Sequence, residues 1–383
     1  MNEIITEFQD DDINSNYILN YINKLKTKVN YKITNVDEAQ YISAGQGYGK
    51  KLTYISSTYI VFGDSYTDGV VAYEPEWHLV LGTLLSKTAL SYAVNGTTSD
   101  QMQKYINNMI LDTANAQRTS IIAYGVNDGR RTALLFRTYS LYANVLLNNY
   151  LMCTVPQNKC FACRSFTTKS GTWANTGTSD NTGLFSLDLN AYLEHTFTNV
   201  RYIYFSGYYI KGENRDMTIR INGVIYGRYK INNGPEAGVN TGGLYASYGL
   251  LIDIGEVLPS CVLRFTNNLA YTAPQLGFYA SYVCCWNDTD QLSNTRNLLV
   301  ATIPKYYKYA SDDNATGNNF TDEKRRLLNE CIVNAALACV RHGLNVSVIS
   351  YSQLNGLYSD KLHPSIFQSA MFAYDIKNIA TTL

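Results

Sequence analysis

From Phe161 to about Trp286 the chain consists of short runs rich in Tyr, Ile, Val, Thr and Phe, broken by Gly, Asn and Asp. VRYIYFSGYYI, YGLLIDIG and CVLRFTNN are examples, and in RDMTIRINGVIYGRY two apolar runs flank an Asn-Gly pair, the signature of a tight hairpin. Many short strands without helical spacing predict a β-sandwich, jelly-roll-like, of about 125 residues. The flanking stretches differ. TYIVFGDS and TSIIAYGVND read as buried strands ending in turns, and EPEWHLVLGTLLSK has helical spacing. FTDEKRRLLNECIVNAALACVRHGL reads as a helix closed by Gly343, NVSVISYSQL as a strand and SIFQSAMFAYDIKNIA as a terminal helix. Strands alternating with helices imply a parallel sheet covered on its faces. The expected fold class is therefore α/β, with one domain built from residues 51–160 and 287–383 and interrupted by an all-β insert over 161–286. Residues 1–50, with a short helix in NYILNYINKLK, are read as a leader or attachment segment.

Composition narrows the function classes. Of 383 residues, 46% are hydrophobic and 16% charged, which suits a folded chain. The 31 basic and 31 acidic residues cancel, so neither nucleic acid nor an anionic membrane is indicated as a partner. No apolar run approaches roughly 20 residues, the length of a membrane span. MNEIITEFQDDDINSN lacks the basic start and apolar stretch of a signal peptide. The eight cysteines show no disulfide-framework spacing, and the single CxxC of Cys160 and Cys163 has no second pair to complete a zinc site. The 33 tyrosines suit β-surfaces and binding faces; Trp173, the cluster 202–209, Tyr245 and Tyr248 read either as sugar-stacking rings or as sandwich core.

Four short motifs could carry chemistry. Ser65, in Gly63-Asp64-Ser65 at the end of YIVF, stands where open α/β sheets place ligands, and a helix-start N–H there can stabilise an oxyanion. In AVNG, Gly96 lets a substrate oxygen approach the backbone N–H, and in GVND the Asn127 amide offers a further donor; both motifs read equally as plain turns. In DKLHP, His363 follows Asp360 by three residues, so a carboxylate can hold one ring nitrogen while the other faces a hydroxyl. His78, His195 and His342 read as structural.

FGDSYTDG, AVNG, GVND and DKLHP, in that order, resemble the four blocks of the SGNH/GDSL hydrolases over about residues 51–155 and 287–383. The resemblance implies a flavodoxin-like three-layer α/β/α fold hydrolysing esters without metal or cofactor. It also implies a triad of Ser65, His363 and Asp360, and an oxyanion hole of the Ser65 N–H, the Gly96 N–H and the Asn127 side chain. The insert is similar in character to β-domains of family members acting on glycans, which points to O-acetyl groups on a carbohydrate or another small ester as substrate. The missing signal peptide, the Tyr/Asn-rich texture and the N-terminal segment resemble tail-associated esterases of bacteriophages, virion proteins acting outside the cell. Homo-oligomerisation, or attachment to a larger assembly through residues 1–50, stays open. So does a second reading, a non-enzymatic glycan-binding adhesin or virion structural protein on a hydrolase fold.

Overall fold

The computed structural model describes residues 47–49, 55–68, 76–110, 118–130, 136–175, 183–209, 215–231, 246–271, 278–292, 296–303, 321–349 and 366–381. The readings of residues 1–46, including the NYILNYINKLK helix, lie outside them.

In chain order the first elements are β1 (Gly47–Gly49), β2 (Thr58–Gly63), α1 (Ser65–Asp68), α2 (Trp77–Leu85), β3 (Thr88–Ser91) and α3 (Ser99–Ile110). Next come β4 (Ser120–Ala123), α4 (Val126–Arg130) and α5 (Phe136–Thr154). An all-strand region follows, apart from two short 3-10 turns: β5 (Cys160–Ala162), β6 (Thr168–Ser170), β7 (Ala174–Asn175), β8 (Leu184–Ser186), β9 (Tyr192–Tyr209), β10 (Arg215–Ile221), β11 (Val224–Ile231), β12 (Ala246–Asn267), β13 (Phe278–Ala280) and β14 (Tyr282–Trp286). The chain closes with α6 (Asp288–Leu292), β15 (Leu298–Ala301), α7 (Asp322–Arg341), β16 (Val346–Ile349) and α8 (Ile366–Thr381).

Three sheets result. One has the order β1-β16-β15-β4-β2-β3, parallel throughout except for the antiparallel edge strand β1. The largest is antiparallel, in the order β11-β10-β12-β9-β14-β5, with β6 also on β9. The third is β13-β8-β7. The predicted Asn-Gly hairpin joins β10 to β11, and Asn222 and Gly223 both take positive φ, 50° and 81°. That pair of left-handed residues matches the twist of the strands, which is why Asn-Gly is favoured there.

Side-chain alternation shows what each sheet covers. Tyr59 and Val61 of β2 point into a core with Trp77 and Leu81 of α2 and Phe372 and Ile376 of α8. Ile60 and Phe62 point the other way, toward α3, α5 and α7. Two of those helices, α5 and α7, meet a second sheet on their far side: Tyr202 and Tyr204 of β9 and Tyr282, Cys284 and Trp286 of β14 belong to the same buried cluster. The intervening residues Ile203, Phe205, Val283 and Cys285 face a separate core that includes Leu184 of β8 and Ala280 of β13. Each large apolar side chain so buried contributes about 1.5–3 kcal/mol.

Polar bonds fix the contact between helices and antiparallel sheet. Asn148 Oδ1 on α5 accepts from Tyr204 Oη (3.3 Å) and Ser206 Oγ (2.9 Å). Trp286 Nε1 donates to the His342 carbonyl at the end of α7 (3.0 Å). On the parallel-sheet side, buried Arg296 just before β15 donates to the Val155 and Met152 carbonyls at the end of α5 (2.7 and 2.9 Å). Tyr202 and Tyr204 are thus interior residues and not sugar platforms.

These observations correct the expected fold class, a flavodoxin-like three-layer α/β/α hydrolase domain with a jelly-roll-like insert. Strand residues outnumber helical ones among those described, and the larger sheet is antiparallel. The helical layer that a three-layer fold would leave facing water is instead roofed by that sheet. The physical reason is that β9 and β14 are apolar on both faces, so both must be covered. No helix among the described residues is long and apolar enough to cross a membrane.

Candidate functional site at the carboxyl edge of the parallel sheet

Because β2, β3, β4, β15 and β16 are parallel, their carboxyl ends share one edge. Ser65 begins α1 immediately after β2 and Asp64, and is half-buried. Gly96 lies in the exposed turn that follows β3, at φ 75°, with open space where a Cβ would stand. That left-handed backbone favours glycine, and the open space leaves its face accessible. Asn127 sits in α4, just beyond β4, half-buried.

Hydrogen bonds draw these three turns together. The Val94 N–H donates to the Gly63 carbonyl at 3.1 Å, and the Asn95 N–H donates to the Asp68 carboxylate. Asn127 Nδ2 donates to the Thr97 carbonyl at 3.1 Å; the amide carries a second hydrogen that this bond does not use. Buried Asp128 accepts from the Ser99 N–H (3.0 Å) and Ser99 Oγ (2.7 Å), pinning the start of α3 to α4. Asn149 of α5 donates to the Ser99 carbonyl (3.1 Å) and to Tyr124 Oη (2.7 Å), so the same group rests on a helix beneath.

Asp64 is the strongly perturbed carboxyl of the set. Its Oδ1 accepts from the Tyr66 N–H at 3.0 Å, and the Gly125 and Val126 amides also favour its charged form. Complete burial outweighs these donors, and with the Asp128 charge nearby it raises the carboxyl to about 7. A folded-state value raised from 3.8 means that the associated stability is full below pH 3.8 and is lost as pH rises through 7. Wild type is therefore expected to lose about 2–3 kcal/mol more than Asp64→Asn between pH 5 and pH 8. Denaturant midpoints at both pH values check this, and parallel curves for the two proteins would count against it.

The other sequence-singled histidines are packed into the fold. His78 is buried in α2, with Nε2 2.9 Å from Glu76, and burial lowers it to about 4. His195 stacks on Phe166, with Phe161 and Phe197 around it. His342 caps α7, its Nδ1 2.6 Å from the Ala338 carbonyl. β16 ends at Ile349 on the shared edge, while Asp360 and His363 lie outside the described residues. Among the described residues no group of three or more His, Cys, Asp or Glu could hold a metal ion. Sequence reasoning passed over Asp64, Ser99, Asp128 and Asn149. The first and third stand inside the quoted motifs, but nothing in the sequence marks them as buried.

No family model matches the chain, and no curated protein does. Among solved structures, a CBM36 domain of a multidomain xylanase from the hindgut metagenome of Trinervitermes trinervoides aligns at 13% identity and TM-score 0.25, over 33% of this chain and 95% of that one. A carbohydrate-binding module CBM36 in complex with calcium and xylotriose aligns at 11% identity and TM-score 0.25, over 33% and 98%. The catalytic domain of a GH87 α-1,3-glucanase in complex with nigerose aligns at 14% identity and TM-score 0.26, over 38% of this chain and 35% of that one. Likeness this weak carries no function across. The resemblance to SGNH/GDSL hydrolases is corrected by the same comparisons: these neighbours are carbohydrate-binding modules and glycoside hydrolase domains, and neither a family model nor a curated protein supports that family or its tail-associated members.

Proposed function

We propose that the chain engages a carbohydrate and that the edge around Ser65 hydrolyses a carboxylic ester on it, an O-acetyl group being the simplest such substrate. The observation carrying this is the bonded convergence of three turns around a half-buried serine at a helix start. Acyl transfer needs a nucleophile with donors set around it, and this arrangement supports that reading.

Ser65 Oγ attacks the ester carbonyl carbon and gives its proton to His363, which Asp360 orients. Negative charge on the carbonyl oxygen falls to the Ser65 and Gly96 N–H groups and the Asn127 amide. The sugar oxygen leaves with the proton from His363, and water then releases the acyl group from Ser65. The rim of this edge supports the carbohydrate reading. Tyr92 is 36% exposed and stacks on Phe62 at 5.7 Å between centroids, in the same turn as Gly96. Its ring, with exposed Val94 beside it, offers the apolar platform on which a sugar face packs.

Acetate release from an O-acetylated polysaccharide, by wild type against Ser65→Ala, tests the proposal. Release by the wild type alone is expected. Binding of the polysaccharide without release would leave a glycan-binding protein in place of an enzyme. Asn127→Ala is expected to slow release by about 10²–10³-fold, with only a small fall in melting temperature from the lost bond to the Thr97 carbonyl; a rate within twofold of wild type would remove Asn127 from the site.

A further inference from the structure

We infer that Cys160 and Cys284 form a disulfide under oxidising conditions, closing the all-strand region at the point where the chain enters and leaves it. β5 and β14 are antiparallel neighbours, and their register sets Cys160 directly opposite Cys284. Their sulfurs stand 3.4 Å apart. Both side chains lie on the same face of the sheet, packed on the cluster that contains Tyr204 and Trp286. Directly opposed residues have Cβ atoms about 4.5–5.5 Å apart, from the upper limit of what a disulfide spans to about 1 Å beyond it, so side-chain rotation and a strand adjustment of up to that size bring the sulfurs to bonding distance.

The other cysteines do not compete. Cys163, the second residue of the CxxC, and Cys285, the immediate neighbour of Cys284, both point into the opposite core together with Cys261. Strand alternation therefore separates Cys284 from Cys285, and the 3-10 turn that follows β5 carries Cys163 into the core opposite Cys160. Cys153 lies on α5 and Cys331 and Cys339 on α7, and the strand register sets none of them opposite Cys160 or Cys284.

The chemistry is ordinary thiol–disulfide exchange with a small disulfide such as oxidised glutathione. Cys160, half-buried on the edge strand β5 where Cys284 is buried on β14, is the one a small oxidant reaches first when that edge opens. The hydrogen bond from the Cys284 thiol also lowers the Cys160 pKa, favouring its thiolate. Cys160 loses its proton, attacks the oxidant and releases one glutathione thiolate, leaving a mixed disulfide. The Cys284 thiol then loses its proton and attacks Cys160 Sγ, releasing the second glutathione. Two protein thiols are oxidised and one glutathione disulfide is reduced. The closed loop spans residues 124 apart in sequence, so the bond restricts the unfolded chain strongly.

The intact protein equilibrated in glutathione buffers from fully reduced to fully oxidised, then alkylated, digested and mapped by mass spectrometry, tests this. The expected result is a Cys160–Cys284 cross-linked peptide, reversed by reductant, with a melting temperature about 5 °C or more above that of the reduced protein. In Cys160→Ser the same oxidation leaves Cys284 alkylated as a free thiol. Separate alkylation of both cysteines after full oxidation overturns the inference. So does a cross-link to Cys163 or Cys285, or a glutathione adduct that stops at Cys160. An unchanged melting temperature in the cross-linked protein overturns the stapling role.

Discussion

Replacing Ser65 by alanine is expected to lower hydrolysis of a chromogenic acetate ester by about 10⁴-fold or more. The expectation rests on which interactions the substitution removes. Deleting the hydroxyl takes away the atom that forms the acyl bond, while the backbone N–H of residue 65 stays in place, and residual donors alone sustain only a small part of acyl-transfer catalysis. Structure should hardly change, because Ser65 is half-buried and the turn is held by Asp64, whose carboxylate and carbonyl accept from Tyr66, Thr67 and Asp68. Steady-state rates together with a thermal melt separate the two effects. Equal rates in wild type and variant would end the proposed reaction, and an equally large fall in melting temperature would mark Ser65 as structural.

The largest stability effect is expected from Trp286→Ala, about 3–5 kcal/mol. Trp286 is fully buried, lies against Tyr202 with centroids 5.5 Å apart, and donates to the His342 carbonyl. Truncation leaves a cavity between β14 and α7, deprives the buried carbonyl of its donor, and removes contact area on both sides of the helix–sheet seam. Denaturant unfolding followed by circular dichroism measures it. A loss below about 1 kcal/mol would show that the seam collapses around the gap.

Much of the element order was legible, and for identifiable reasons. YIVF and IIAY are unbroken apolar runs, Asn222-Gly223 is a turn signal with one favoured geometry, and Thr321 and Gly343 bracket a helix whose Thr321 hydroxyl accepts from the Lys324 N–H. What covers each face was not legible. Alternation in RYIYF shows that Tyr202 and Tyr204 share a side, yet nothing local says that the side meets α5 and α7. Nor does sequence give the register of strands more than a hundred residues apart, so the opposition of Cys160 to Cys284 was invisible and the cysteines showed no disulfide pattern. The family reading went astray for a related reason. Gly-Asp-Ser, Asn-Gly and Val-Asn-Asp are built from residues that any strand-to-helix turn at a sheet edge favours, so their agreement says less about descent than about local geometry. The same sheet edge does hold Ser65, Gly96 and Asn127 within one bonded set of turns, whatever its ancestry.

The helical layer shared by two sheets bears on how the molecule can be handled and altered. A fragment cut at residues 160 and 286 would carry Tyr202, Tyr204, Tyr282 and Trp286 into water, and the remainder would bare the matching sides of α5 and α7. Neither piece is then a portable module. Grafting the strand-rich part onto another scaffold requires bringing those two helices, or rewriting the tyrosine face that meets them.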